Sequence, residues 1–292
     1  MGLPVHAGGD VVMDWLNKVH FGDCRDSMRA MITAGVRVNC IVTSPPYWGL
    51  RDYGHPGQLG LEKTPEEYVA NMVAVFREVR RVLRDDGTLW LNLGDSYAKD
   101  KTKTLVGIPW RVAFALMSEG WLLISEIVWV KTKLAPAGGS RRPIRAHEQV
   151  FMLVKQASYY YDADAIREPL SPASVKRHNY QYTKIRQRAD RLDGNRVAPL
   201  DENPKGRHKW SVWPVCPSGF KGAHFATFPP DLIEPCILAG CPVGGIVLDP
   251  FMGSGTTAQV AQALGRQWIG CELNEDYKPL QDERTAQMGM AL

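Results

Sequence analysis

Gly245-Ile246-Val247-Leu248-Asp249-Pro250-Phe251-Met252-Gly253-Ser254-Gly255-Thr256-Thr257 reads as a buried strand, a break and a helix start. Gly245 to Leu248 is a short apolar strand. Asp249-Pro250 ends it, because proline fixes φ and offers no N–H to a ladder. Gly253 and Gly255 then make a turn that a ligand can approach closely at the backbone. Helical spacing runs from Thr256 to Leu264, and Gln267 to Glu272 is the next strand. Strand, glycine turn, helix and strand make the repeating unit of a parallel sheet. Glu272 follows Gly255 by 17 residues and stands at the tip of the second strand. A carboxylate there can take two ribose hydroxyls. No Gly-Lys-Ser/Thr follows the glycines, which disfavours a phosphate-gripping loop. Taken alone, the segment also allows a purely structural turn with an exposed acid.

The same alternation extends upstream. Lys18 to Asp23 reads as a strand closed by Gly22-Asp23, Ser27 to Ala34 as a helix, and Asn39 to Thr43 as a buried strand. Thr64-Pro65-Glu66-Glu67 predicts a helix start, with Thr64 as N-cap, Pro65 in the first turn and Glu67 closing a capping box. That helix carries Tyr68, Met72, Val75, Phe76, Val79 and Leu83 on one face, with Asp86-Gly87 as its stop. Thr88 to Leu93 is a strand, Pro109 to Ser118 a helix, Trp121 to Lys131 and His147 to Lys155 strands, and Pro230 to Leu238 a helix. Alternating helices and apolar strands predict an α/β fold with a parallel sheet covered on both faces.

A second constellation, Thr43-Ser44-Pro45-Pro46-Tyr47-Trp48, directly follows a predicted strand. Two prolines stop any regular element and hold a carbonyl in place without a competing N–H. That carbonyl and the Ser44 hydroxyl could accept hydrogen bonds from an exocyclic amino group, with an aromatic face alongside to stack on the base. A rigid turn packed by aromatics is the plainer reading, and for Trp48 the two readings weigh equally.

At 292 residues the chain suits one large domain or two small ones, since domains average roughly 150 residues. Its 45% hydrophobic and 23% charged residues exclude disordered and fibrous classes. No apolar run reaches the ~18 residues of a membrane span, and Met1 to Asp10 lacks the pattern of a secretory signal. The six cysteines form no Cys-x-x-Cys pair and Cys236 and Cys241 lack further partners, so no metal site is expected. Reduced, mostly buried thiols in a cytoplasmic protein are the expectation. The net charge of +4 is uneven: Lys131 to Lys209 carries 17 basic and 8 acidic residues, and the remainder is net acidic. From Arg167 to Trp213 the basic residues interleave with Asn179, Tyr180, Gln181, Tyr182, Gln187, Trp210 and Trp213. That mixture suits phosphate contact, base reading and stacking better than a merely solvated surface.

Taken together, Ser44-Pro45-Pro46-Tyr47 and Asp249 to Thr257 resemble the amino-group DNA methyltransferases, which act on cytosine N4 or adenine N6 with S-adenosylmethionine. The order of catalytic motif, basic block and cofactor motif resembles the beta-type arrangement of that family. Gly22-Asp23, Gly94-Asp95-Ser96-Tyr97, His147-Glu148 with Tyr159 to Tyr161, and His224-Phe225-Ala226-Thr227-Phe228-Pro229 resemble its remaining motifs. The resemblance implies a Rossmann-like sheet with an antiparallel last strand and a circularly permuted motif order. It implies a catalytic half at 18–160, a target-recognition region at 161–213 and a cofactor half at 214–292. Ser44, the Pro45 carbonyl, Pro46 and Tyr47 would hold the target base, with Asp95 as a charge or proton partner. Phe251, Gly253 and Gly255 would shape the cofactor bed, Asp249 would lie beside the methionine portion, and Glu272 would bind the ribose. Asp23 would take the adenine amino group, and Thr227 and Phe228 would line the methionine end. Ser before Pro-Pro is usual in the cytosine-N4 members, whereas Asp or Asn is usual in the adenine-N6 members, so Ser44 favours cytosine. An inactive DNA-binding relative is the alternative of a different class. Cytosine C5 chemistry would need a nucleophilic cysteine after a proline; Cys216-Pro217 and Cys241-Pro242 have the wrong order, and Pro235-Cys236 lies in a predicted helix on the cofactor side, which discounts that reading. The implied partners are double-stranded DNA, with the base flipped out of the helix, and a restriction endonuclease acting on the same site. The protein itself would be a monomer or homodimer.

Overall fold

The structure is a computed structural model and describes residues 12–134, 142–190, 206–217 and 228–286. It divides into two compact units, Met1–Asp162 with Ser211–Leu292, and Ala163–Trp210. The first unit is an eight-stranded sheet: β1 Lys18–Phe21, β2 Val38–Thr43, β3 Leu83–Leu93, β4 Leu122–Lys131, β5 His147–Val154, β6 Val212–Val215, β7 Ile246–Asp249 and β8 Gln267–Glu272. The strand order is β1-β8-β7-β2-β3-β5-β4-β6. Its helices are α1 Cys24–Thr33, α2 Pro65–Val82 and α3 Ile108–Ser118 in the first part of the chain. The second unit holds α4 Pro172–Asp190. Then follow α5 Pro230–Gly240, α6 Thr256–Ala263 and α7 Lys278–Ala286.

Side-chain alternation explains the two covered faces. In β2 and β3, Ile41, Leu89, Leu91 and Leu93 join one buried cluster with Met28 and Met31 of α1, Tyr68 and Phe76 of α2 and Val112 and Leu116 of α3. The intervening residues point the other way, as the period of two requires. There Gly240 of α5 comes so close that a Cβ on it would lie 2.4 Å from the Thr88 hydroxyl and 2.5 Å from the Trp90 indole nitrogen. The capping box forms as its sequence dictates: the Thr64 hydroxyl accepts the Glu67 N–H at 3.2 Å and Glu67 accepts the Thr64 N–H at 3.3 Å. No described helix is long and apolar enough to cross a membrane.

Three features depart from the reading of local pattern. The sheet is mixed, because β5 lies antiparallel to both β3 and β4. Residues 132–146, which join β4 to β5, carry no helical spacing, and neighbouring strands without a crossover helix pair antiparallel. The resemblance, unlike the alternation, implies one antiparallel strand, but names it the last; in this chain it is β5, and β8, the last in sequence, runs parallel to β1 and β7. Second, Asp86-Gly87 ends no helix. Helix α2 stops at Val82, and the Leu83 N–H caps it on the Val79 carbonyl as the chain turns extended. The register then jumps from Val38–Leu83 to Cys40–Thr88, so the supposed turn is a bulge within β3. Third, Trp213 is no surface aromatic. It is buried in β6, an edge strand parallel to β4, opposite Trp129.

Candidate active site

From β2 the sheet order runs through β3 in one direction and through β7, β8 and β1 in the other. Ligands of open α/β sheets bind outside the carboxyl ends of the strands at such a reversal. A cavity opens there, lined by Asp23 after β1, Ser44 and Pro46 after β2, Phe251 and Gly253 after β7, and Glu272 at the end of β8. Tyr53, His55 and Leu59, from the segment between the Pro-Pro turn and α2, form a further wall. The sequence pattern gave these three no role, since an irregular segment without a motif carries no signal of what it covers.

The glycine turn is locked by the acid expected to face the ligand. One Glu272 oxygen accepts the Gly253 N–H at 2.8 Å and the other accepts the Asn274 N–H at 2.9 Å. Burial raises this carboxyl above its ordinary range. The two glycines face different ways. Gly253, with φ +51°, would direct a Cβ into open space, with nothing nearer than the Phe251 carbonyl at 4.0 Å. Gly255, with φ +87°, would set its Cβ 3.3 Å from Gln281 Cα of α7. Gly255 therefore shapes the turn from behind and does not line the cavity.

Asp249 also sits behind the turn and outside the cavity lining. Its carboxylate accepts the hydroxyls of Thr43 at 2.7 Å and Thr257 at 2.6 Å and the Phe251 N–H at 3.0 Å. It clasps the end of β2 to the start of α6. Full burial lifts its carboxyl to about 6, against the lowering by these donors. Asp23 heads α1, accepting the Arg25 N–H at 2.8 Å and pairing with the Arg25 guanidinium, which holds its carboxyl below the ordinary range. Phe228 is buried just before α5 and is not part of the lining. Thr227 lies outside the described residues.

In the Pro-Pro turn, Ser44 and Pro46 reach the cavity, whereas Pro45 and Tyr47 do not line it. The Tyr68 hydroxyl occupies the Pro46 carbonyl at 2.9 Å. Tyr47 lies against Gly94, where a Cβ would come within 2.5 Å of its ring. Its hydroxyl points into a polar cluster with Ser44 at 3.1 Å, Asn92 at 3.0 Å and Glu148 at 2.8 Å. Asp95 is engaged elsewhere. It accepts the N–H groups of Ser96, Gly107 and Ile108, each at 2.9 Å, and pairs with Arg145 at 3.1 Å. It thus caps the start of α3 and does not line the cavity. Trp48 packs in the core, its indole N–H donating to the Glu62 carbonyl at 3.0 Å. Cys24 and Cys271 do line the cavity, but burial drives both thiols up, Cys24 to about 12. Neither is a thiolate nucleophile at neutral pH. Among the described residues no cluster of three or more His, Cys, Asp or Glu side chains is arranged to hold a metal.

A family model described as DNA methylase, of the N6 and N4 enzymes, matches residues 38–283. The chain belongs to the N6/N4 DNA methylase family. The match takes in the Pro-Pro turn, the polar cluster and the glycine turn together. Relatives agree over nearly the whole length. The Type II methyltransferase M.SmaI of Serratia marcescens is 40% identical over 293 residues, covering 91% of this chain and 90% of its own. M.XycI of Xanthomonas campestris pv. cyanopsidis is 42% identical over 289 residues, covering 90% and 85%. Among solved structures, TTHA0409 of Thermus thermophilus, determined with S-adenosyl-L-methionine, superposes with a TM-score of 0.61 at 25% identity, covering 94% and 96%. The cytosine-N4-specific PvuII DNA methyltransferase shares the fold, with a TM-score of 0.65 at 21% identity, covering 91% and 85%.

The cavity of this DNA methylase suits the methyl donor of the family. Ser254 lines it with a buried hydroxyl that has no hydrogen-bond partner among the described residues. An orphaned polar atom in a cavity wall is satisfied by a polar ligand. The Gly253 Cβ position is open, so backbone is exposed to close approach, and Phe251 supplies an apolar flank.

Proposed function

We propose that this methylase methylates the exocyclic N4 of a cytosine flipped out of duplex DNA, using S-adenosylmethionine. The observation that carries this reading is that Ser44, the residue before Pro-Pro, lines the same cavity as Gly253 and Glu272. Amine acceptor and donor bed therefore share one space. S-adenosylmethionine would supply a methyl group already activated on a sulfonium, with the S–CH3 bond breaking and a neutral thioether as the leaving group. Glu272 takes the ribose hydroxyls with its remaining lone pairs, Asp23 takes the adenine amino group, and Phe251 and Gly253 form the bed. Thr227 serves the methionine end, while Gly255 and Asp249 hold the turn in shape and the buried Phe228 packs outside the lining.

The chain's own task is alignment and tuning of the amine. The lone pair of an aromatic amine is delocalised into its ring. Ser44 Oγ accepts one of its N–H bonds, which favours a pyramidal nitrogen and frees the lone pair for the new N–C bond; the Pro45 carbonyl, which does not line the cavity here, would accept the other only once the base is seated. One amine proton is then released. Mass spectrometry of nucleosides from DNA treated with the purified protein is expected to show N4-methylcytosine. N6-methyladenine alone would overturn the argument from Ser44. Neither product on any DNA, from folded protein that binds the donor, would overturn the transferase reading.

The unit Ala163–Trp210 is proposed as the target-recognition region, with a restriction endonuclease reading the same sequence as partner. Within it Glu168 pairs with Arg207 and with Lys209 at 3.1 Å. Arg207 stacks 3.7 Å from the centre of the exposed Trp210 ring, and Lys184 lies 4.6 Å from that of the exposed Tyr180. Lys176, Arg177 and Lys184 of α4 are exposed. Replacing these three with glutamine should weaken DNA binding and flatten the salt dependence, by about 0.9 in log–log slope for each phosphate left without its cation. Donor affinity should not change. Unaltered DNA binding across a salt titration would return α4 to a solvated surface.

A further inference from the structure

We infer that Glu148 is a positioning residue that fixes the direction of the hydrogen bonds around Ser44, so that the serine presents an acceptor to the target amine. The inference rests on the reading of Ser44 as the amine's acceptor. Glu148 stands on β5, the antiparallel strand, with its side chain only 12% exposed. Burying a carboxylate there is costly unless it is paired, and it is paired with Lys131 of the neighbouring β4.

The donors and acceptors can be assigned in one consistent way. Asn92 donates its amide N–H groups to Glu148 at 3.3 Å and to the Gln149 carbonyl at 3.1 Å. Its carbonyl oxygen must then face Ser44 and Tyr47, at 3.3 and 3.0 Å. An ionised carboxylate only accepts, so the Tyr47 hydroxyl gives its hydrogen to Glu148 at 2.8 Å. Desolvation and the neighbouring carboxylate push the Tyr47 phenol well above its ordinary range, so that hydrogen is always present. Both polar neighbours behind Ser44, the Tyr47 oxygen at 3.1 Å and the Asn92 carbonyl, therefore accept. Ser44 has one hydrogen, and it points inward. Its lone pairs are left toward the cavity, where an amine N–H can donate to them. Swapping Glu148 for a glutamine of the same shape lets an amide donate to Tyr47, which can turn the Tyr47 and Ser44 hydroxyls around.

The test is single-turnover methyl transfer from labelled S-adenosylmethionine to DNA that the wild-type protein methylates, with folding checked by thermal melting. Glu148→Gln is expected to slow the transfer step about 10- to 100-fold, the scale of one misdirected hydrogen bond to a charged group. The dissociation constants for donor and DNA should stay as in the wild type. In a Ser44→Ala background Glu148→Gln should slow transfer no further, because Glu148 acts through Ser44. Equal slowing with and without Ser44, or no slowing at all, overturns the inference. Should Glu148→Gln fail to fold, Tyr47→Phe carries the test: it cuts the link between Glu148 and Ser44, and transfer at the wild-type rate would overturn the inference. A wild-type protein that makes no N4-methylcytosine fails the underlying reading instead, which separates the two.

Discussion

Ser44→Ala is expected to lower the rate of methyl transfer about 10²–10³-fold, the loss seen when one preorganised hydrogen-bonding group at a reacting centre is removed. Donor affinity should barely change. Ser44 lines the cavity from the β2 side, whereas the glycine turn is held by Glu272, Asp249 and Gln281, none of which bonds to Ser44. The fold should also survive, since the partners behind Ser44 remain satisfied: Tyr47 still donates to Glu148 and Asn92 still bonds to Gln149. Single-turnover kinetics at saturating donor and DNA isolates the step. A Ser44→Ala protein that transfers methyl at the wild-type rate would remove Ser44 from the chemistry and the argument for cytosine with it.

Gly253→Leu should abolish binding of S-adenosylmethionine while leaving the protein folded. The leucine would project into the open cavity, where nothing but the Phe251 carbonyl stands within 4.0 Å. The positive φ costs only about 1–2 kcal/mol. Gly255→Leu should act oppositely. Its side chain would be driven against Gln281 of α7, so the loss appears first in stability and only through that in binding. Calorimetric titration beside a melting curve separates these outcomes. Wild-type donor affinity in folded Gly253→Leu would place the donor elsewhere.

The parts of this molecule written in local chemistry were legible in the sequence. The strand, turn and helix from Ile246 to Ala263 and the capping box at Thr64 follow from proline, glycine and hydroxyl positions that act within a few residues. Features set by partners across the sheet were not. A run such as His147 to Val154 shows that a strand is buried, but its direction depends on how the chain returns to the sheet. Val212–Val215 is too short to stand out within a basic region, and its pairing with β4 supplies the reason for its burial. Asn92 could have been found. It interrupts the apolar run from Leu89 to Leu93, and a polar side chain in such a strand needs a partner. Glu148 and Gln149 are that partner, more than fifty residues away. Asp95 and Asp249 show the opposite limit. Both stand in recognisable motifs, yet their oxygens are taken by backbone and hydroxyl donors rather than turned to the cavity.

The position of β2 between β7 and β3 also governs how this protein can be made. The ribosome delivers β2 early, but its other neighbour, β7, begins at Ile246 and β8, the partner of β1, at Gln267. Until that stretch of the message is translated, a central strand stands with one naked edge and β1 stands unpaired. An apolar strand edge in that state is a template for pairing with another chain. Premature termination ahead of Ile246 would therefore leave a sticky fragment rather than a half-active enzyme. Slow decoding upstream would lengthen the interval during which chaperones must shield it.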